Sequence, residues 1–207
     1  MRHGLLNWLH FALAVLELPP NPRERHFWGR LATLQLIYSL AGLVFGLACI
    51  VGGIALFFHG YRRFTEDVDI LVTAEGLREI HHHLAGLGYL PPFTGSQNLR
   101  DTASGVRIEF LVTGHYPGDG KPKPVALPDP AAASVEIDGI QFLRLETLIE
   151  LKLASGATPG RRRDLADVQE LIRILSLPAD FAERLDPSVR DLYRELWSEI
   201  QGLPSEP

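Results

Sequence analysis

Two aspartates, Asp67 and Asp69, sit one residue apart in the apolar run DVDILV at 67–72. In a strand, side chains at i and i+2 leave the same face, with their Cα atoms about 6.5 Å apart. Val68 and Ile70 then point the opposite way, toward a core. Two carboxylates held this close repel unless a cation neutralises them, and leaving them buried and unpaired is costly. An all-oxygen donor set favours Mg²⁺ or Mn²⁺. A third carboxylate, Glu109, lies in the middle of VRIEFLV. If the two strands are neighbours, Asp67, Asp69 and Glu109 form a cluster suited to two-metal phosphoryl transfer. The plainer alternative is an edge strand whose acidic face is solvated.

Phosphate chemistry also needs donors. Gly52-Gly53 stands between an apolar strand pattern and a helix start, where glycine lets an anion approach the backbone and the first amides are free. A tight strand-to-helix turn would need the same glycines. Arg62 and Arg63 precede the aspartates and are suited to phosphate charge, although Arg63 could equally pair with Glu66. His81-His82-His83 is a weak metal signal, because consecutive helical residues point about 100° apart. The three read as surface histidines. His59 ends the helix after the glycine turn, and KPKP at 121–124 reads as solvated loop.

The elements that position these residues follow from periodicity and punctuation. LVFGLACIV at 43–51 reads as a buried strand, IALFFHG as a helix, and 67–72 as a second strand. EGLREIHHHLAGLG is a helix stopped near Gly86 to Gly88. NLRDTASGVRIEFLVTG suggests two strands around Ser104-Gly105, the second at 106–112. HYPGDGKPKPVALPDP is loop. SVEIDGIQFL is a hairpin turning at Asp138-Gly139. From Leu145 onward the pattern is helical: LETLIELKLAS, RRRDLADVQELIRIL, PADFAERL and PSVRDLYRELWSEIQ, the last two with proline at the start. The order predicts an α+β fold: a small mixed β-sheet core, flanking helices and a C-terminal helical segment. It divides the chain into an N-terminal helical extension (1–40), with a short helix at 1–18, a break at PPNP and a second, apolar helix at about 25–40, then the core (41–144) and the helical segment (145–207).

With 207 residues the chain can bury a real core, and its hydrophobic share of 46% is ordinary for a globular protein. A net charge of −5 gives no global basic footprint for nucleic acid. The single cysteine, Cys49, excludes an internal disulfide and a cysteine-rich zinc site. A cytoplasmic location suits that usage. The N-terminus has a short basic start and an apolar run, but Asn7, His10 and Glu17 interrupt the run and no small-x-small cleavage site is obvious, so a signal peptide is not expected. Leu31 to Phe58 carries no charge and is long enough to span a membrane. Its glycines and polar residues, and its direct passage into the aspartates, favour buried helix plus buried strand over a span.

Val51-Gly52-Gly53-Ile54-Ala55, then His59-Gly60, Arg63, Thr65 and Asp67-Val68-Asp69, resemble the signature of the polymerase-β-like nucleotidyltransferase superfamily. The resemblance is nearest to its minimal type, which includes relatives of abortive-infection toxins. Leu148 to Lys152, then Arg163-Asp164 and Asp167, resembles the helical segment of the same group. The similarity covers about residues 46–175. It implies a Mg²⁺ (or Mn²⁺) dependent transfer of an NMP group from a nucleoside triphosphate to an RNA end, a protein or a small molecule, with release of pyrophosphate. Asp67, Asp69 and Glu109 would be catalytic and metal-binding, and Gly52, Gly53, Arg63 and Lys152 would bind nucleotide. For Lys152 the plain alternative is a snorkelling surface lysine. Asp164 and Asp167 would shape the site, or cap a helix and pair with Arg161 to Arg163. In the toxin-type branch an antitoxin would be a partner, and the apolar second helix would suit a homodimer. Two departures, Gly53 where many members have serine and Glu109 where aspartate is commoner, suit the rival reading: a fold relative that binds a nucleotide or partner without transfer.

Overall fold

A computed structural model describes residues 47–202, apart from 64, 66, 104, 138 and 139. The expected helices at 1–18 and 25–40, and the two turn pairs Ser104-Gly105 and Asp138-Gly139 in whole or part, fall outside the described residues. The chain runs β1 (Ala48–Ile50), α1 (Gly52–Phe58), β2 (Asp67–Val72), α2 (Ala74–Leu84), β3 (Tyr89–Leu90), β4 (Leu99–Asp101), β5 (Arg107–Val112), α3 (Pro130–Ala133), β6 (Ser134–Ile137) and β7 (Ile140–Leu143). It ends with α4 (Leu145–Gly156), α5 (Arg162–Leu175), two 3₁₀ turns at Ala179–Arg184 and Pro187–Val189, and α6 (Arg190–Gln201). The fold is α+β, as the element order predicts.

The strands form one mixed sheet in the order β3-β4-β5-β2-β1-β7-β6. β2 pairs in parallel with β5, and β1 in parallel with β7, while the remaining pairs are antiparallel. The strand alternation sorts side chains between two cores. Val68, Ile70 and Val72 of β2, with Ile108, Phe110 and Val112 of β5, join Ile80 and Leu84 of α2 on one face. Cys49, Leu71 and Leu143 face the other way and join α4, α5 and α6 through Leu148, Ile149, Leu171 and Tyr193. α1 serves both, with Ile54 in the first cluster and Ala55 and Leu56 in the second. Each fully buried Leu, Ile or Phe contributes roughly 1.5–3 kcal/mol, so the two layers clamp the sheet from both sides.

Local chemistry sets the boundaries. Thr73 caps α2 by accepting from the Gly76 amide at 3.0 Å. Asp129 caps α3, whose first residue is Pro130. The expected stop after α2 is built from Gly86 and Gly88, both at positive φ. Three details differ from the sequence expectation. β1 covers only Ala48–Ile50 of the expected 43–51 strand, part of which is not described. PADFAERL forms a 3₁₀ helix over Ala179–Arg184 in place of an α-helix, and Leu185 after it is extended. The loop after β5 closes on itself through the Gly114 amide to Leu127 O and the Leu127 amide to His115 O, each at 2.8 Å, which carries Leu127 into the core. The described part of the charge-free 31–58 run is β1 and α1. No helix among the described residues is long and apolar enough to cross a membrane.

Candidate active site

Parallel pairing of β2 with β5 places Asp67 opposite Arg107 and Asp69 opposite Glu109. All four leave the face that carries Leu71 and Leu111, and Asp67, Asp69 and Glu109 line one end of a cleft of ≈590 Å³. The far wall comes from α4 and α5, with Lys152, Ser155, Arg161, Arg163 and Asp164. Gly52, Arg63 and Thr65 line its near side, and Gly118 of the post-β5 loop also reaches it.

The glycine pair acts first through space. Gly52 has φ +62°, and a Cβ there would lie 1.8 Å from Asp69 Oδ2. The bare backbone is what lets the carboxylate lie against the start of α1. Gly53 is buried, and its Cβ would meet Thr65 Cβ at 2.7 Å, so Thr65 occupies the room a serine side chain would need. Gly52 therefore lines the cleft while Gly53 packs beside it. α1 is only seven residues long, so its N-terminal dipole is a minor source of anion affinity.

Asp69 is partly buried. Burial, reinforced first by Glu109 and also by Asp67, pushes its carboxyl up to about 6, against the opposing pull of Lys152 and Arg63. Asp67 and Glu109 are more open and are held by one cation. Arg107 donates from Nε and Nη2 to Asp67 Oδ1 and Oδ2, each at 2.8 Å, and from Nη2 to Glu109 Oε1 at 3.0 Å. The sequence reading missed Arg107. Its signal was the Arg-x-Glu spacing, the same i,i+2 rule that singled out Asp67 and Asp69.

Among the described residues, no group of three or more His, Cys, Asp or Glu side chains stands close enough to hold a metal ion as placed. The donor chemistry nevertheless fits a hard divalent cation: three carboxylates share one face at matched register, with no nitrogen or sulfur ligand between them. What fills the space between Asp67 and Glu109 is the Arg107 guanidinium.

Lys152 is buried on α4, not snorkelling. Its Nζ donates to Asp167 Oδ2 at 2.7 Å and Asp164 Oδ1 at 3.0 Å. Ser155 Oγ donates to Asp164 Oδ2 at 2.7 Å, and Arg161 Nε lies 3.3 Å from the same oxygen. Burial alone would raise the Asp164 carboxyl, but Lys152, Ser155 and Arg161 together hold it below its ordinary range. Asp167 also faces Arg63, whose Nε lies 3.1 Å from Oδ1. That nitrogen is out of line for a hydrogen bond and has no hydrogen-bond partner among the described residues. Asp164 and Asp167 thus serve Lys152 and Arg63 more than a helix end. The one-turn spacing of Lys152 to Ser155, and of Arg161 to Asp164 to Asp167, carried that information.

The remaining candidates lie elsewhere. Arg62 stacks over the Phe57 ring at 5.6 Å and is exposed, so of the two arginines only Arg63 lines the cleft. His59 donates from Nε2 to Leu143 O at 2.8 Å and ties α1 to β7. His81 donates to Gln97 O at 2.8 Å, and His83 lies 3.7 Å from Glu79. Lys123 of KPKP folds back on Asp119.

No protein-family model matches the sequence, and no curated protein does. Solved structures do resemble the chain. ANT(2″)-Ia, crystallised with adenylyl-2″-tobramycin, superposes with a TM-score of 0.54 at 14% identity, over 82% of this chain and 99% of that one. A Helicobacter pylori protein assigned as a nucleotidyltransferase gives 0.45 at 16% identity, over 82% and 89%. JHP933, also from Helicobacter pylori, gives 0.43 at 16%, over 82% and 86%. At these identities the likeness is one of fold alone: the chain shares the α+β fold of ANT(2″)-Ia.

Proposed function

We propose that this chain is a nucleotidyltransferase that uses Mg²⁺ or Mn²⁺ to move an NMP group from a nucleoside triphosphate to an acceptor. The observation that carries the reading is the register of β2 on β5, which sets Asp67, Asp69 and Glu109 on one face of a cleft that Lys152 lines from α4 and Arg63 from the segment before β2. Carboxylates alone would repel a triphosphate, and cations alone would merely store it. Facing each other across one cleft, they suit a metal-nucleotide complex.

Asp67, Asp69 and Glu109 would hold the cation, which when bound supplies charge neutralisation at the reacting phosphorus and the leaving group. Lys152, held by Asp164 and Asp167, and Arg63 would bind the triphosphate tail. Gly52 gives the nucleotide close access to the backbone beside Asp69, with Gly53 fixing that turn against Thr65. The acceptor oxygen attacks the α-phosphorus and forms the new P–O bond. Its proton passes to Asp69 or Glu109. The bond from the α-phosphorus to the bridging oxygen breaks, and pyrophosphate departs toward Lys152 and Arg63. Positioning and electrostatics suffice, without a covalent enzyme intermediate.

The acceptor is an RNA end, a protein or a small molecule. ANT(2″)-Ia was crystallised with an adenylylated aminoglycoside, which fits the small-molecule option. The His59-Gly60, Arg63, Thr65 pattern supports the toxin-type branch, for which an antitoxin or a second copy is the expected partner. In the three-part division at 1–40, 41–144 and 145–207, the last segment supplies the cationic wall.

Calorimetry with the four triphosphates, with and without Mg²⁺, tests the reading. Binding should require the metal and vanish in Asp67→Asn/Asp69→Asn, and pyrophosphate release should follow once an acceptor is present. Binding that ignores both metal and aspartates would sink it. A second reading, a non-transferring nucleotide or partner binder, is favoured by one observation: Arg107 already occupies the space between Asp67 and Glu109. Metal-dependent binding without any pyrophosphate release would select it.

A further inference from the structure

We propose that Arg107 is a resident counter-ion that a divalent cation must displace, so that this residue sets the metal affinity of the carboxylate cluster. The inference rests on the nucleotidyl-transfer reading above. Arg107 and Glu109 leave the same face of β5, and Arg107 stands directly opposite Asp67 on β2. Its guanidinium spans two carboxylates on adjacent strands, with the Nε–Nη2 edge on Asp67 and a further Nη2 bond to Glu109. A cation held by Asp67 and Glu109 would compete with it for these oxygens.

The two occupants exclude each other. Mg²⁺ binds oxygen at about 2.0–2.1 Å in a tight octahedron. A guanidinium 2.8–3.0 Å from the same oxygens leaves no room for it. Arg107 is also placed to yield. Its side chain is 51% exposed, while Asp67 is 26% and Glu109 39% exposed, so water screens the pairs and they hold only modestly. The residue begins β5, where a long side chain can swing outward without unpairing the strand.

Two consequences follow for the site. Without metal, the Arg107 charge offsets Asp67 and Glu109 across the two strands. A metal arriving alone must evict Arg107 with nothing to compensate. One arriving with a triphosphate brings phosphate oxygens that offer the released guanidinium a new charge-assisted partner. Metal and nucleotide binding are then positively coupled.

The test is titration of the metal-free protein with Mn²⁺ alone, following loss of the free-ion signal by electron paramagnetic resonance. Arg107→Met, which keeps the apolar stem, should bind Mn²⁺ about tenfold more tightly than wild type. Adding Asp67→Asn should remove that gain. Arg107→Lys, which keeps the charge but loses the fork, should fall between wild type and Arg107→Met, and it serves if Arg107→Met folds poorly. Unchanged or weaker binding in both Arg107 variants, with Asp67→Asn still weakening wild type, overturns the counter-ion role and leaves the metal site standing. Absence of Mn²⁺ binding in every variant overturns both.

Discussion

Gly52 and Asp69 depend on one another. A methyl group at Gly52 would both force a side chain into the left-handed region at φ +62° and drive into the Asp69 carboxylate. The backbone part alone costs about 1–2 kcal/mol. Gly52→Ala should therefore lower the free energy of unfolding by at least that amount and, by moving Asp69, abolish metal-nucleotide binding. Urea melts and calorimetry on the same variant check both halves. Asp69 itself is held at a cost. Burial and two neighbouring carboxylates work against its ionised form. Asp69→Asn should stabilise the metal-free protein at neutral pH by on the order of 1–3 kcal/mol while it eliminates Mg²⁺-dependent nucleotide binding. A variant that loses binding and also loses stability would contradict this account.

At the scale of elements, α4 and α5 are joined by a buried polar contact where apolar packing would be usual. Lys152 is the hub between Asp164 and Asp167. Removing one partner of such a group leaves buried charge without compensation, so Lys152→Met should destabilise by about 3–5 kcal/mol, read from the midpoint of a denaturant melt. Asp164 gives the arrangement a pH signature. Its carboxyl lies below the ordinary value of about 3.9 that it regains on unfolding. Its contribution to stability is complete above that value and disappears as pH falls through the lower folded one. Wild type should exceed Asp164→Asn in stability by about 1–2 kcal/mol at pH 7, and the gap should close below about pH 4. A gap that widens in acid would reverse the assigned sign. The aspartate pair, its strand, the glycine turn and the order of elements were legible in the sequence, because period-two alternation and glycine punctuation are local signals. Arg107 on Asp67 and Ser155 on Asp164 were not, because each joins residues on separate elements and only the register of β2 on β5 and the packing of α4 on α5 bring them together.

Across the whole molecule, the central strands carry an apolar cluster on each face, and Cys49 lies buried among them. The residue is 1% exposed, and burial, with Asp129 adding to it, pushes its thiol up to about 12. Native protein should resist a thiol reagent at neutral pH, and labelling should proceed at the rate of opening of the central sheet, which hydrogen exchange of the β1 and β2 amides measures independently. Rapid labelling of otherwise native protein would mean that the helical layer of α4 to α6 detaches from the sheet on its own. The six matched positions of β2 and β5, from Asp67 with Arg107 to Val72 with Val112, carry a consequence for how such a chain tolerates changes in length. One residue added inside either strand would turn the polar side chains on one side of the addition toward the apolar layer under α2, and no single substitution could undo it. One residue added among 118–122, an exposed stretch between two backbone clasps, disturbs no register. A library of single-codon insertions should sort accordingly, with survivors gathered in that loop and a sharp void across both strands.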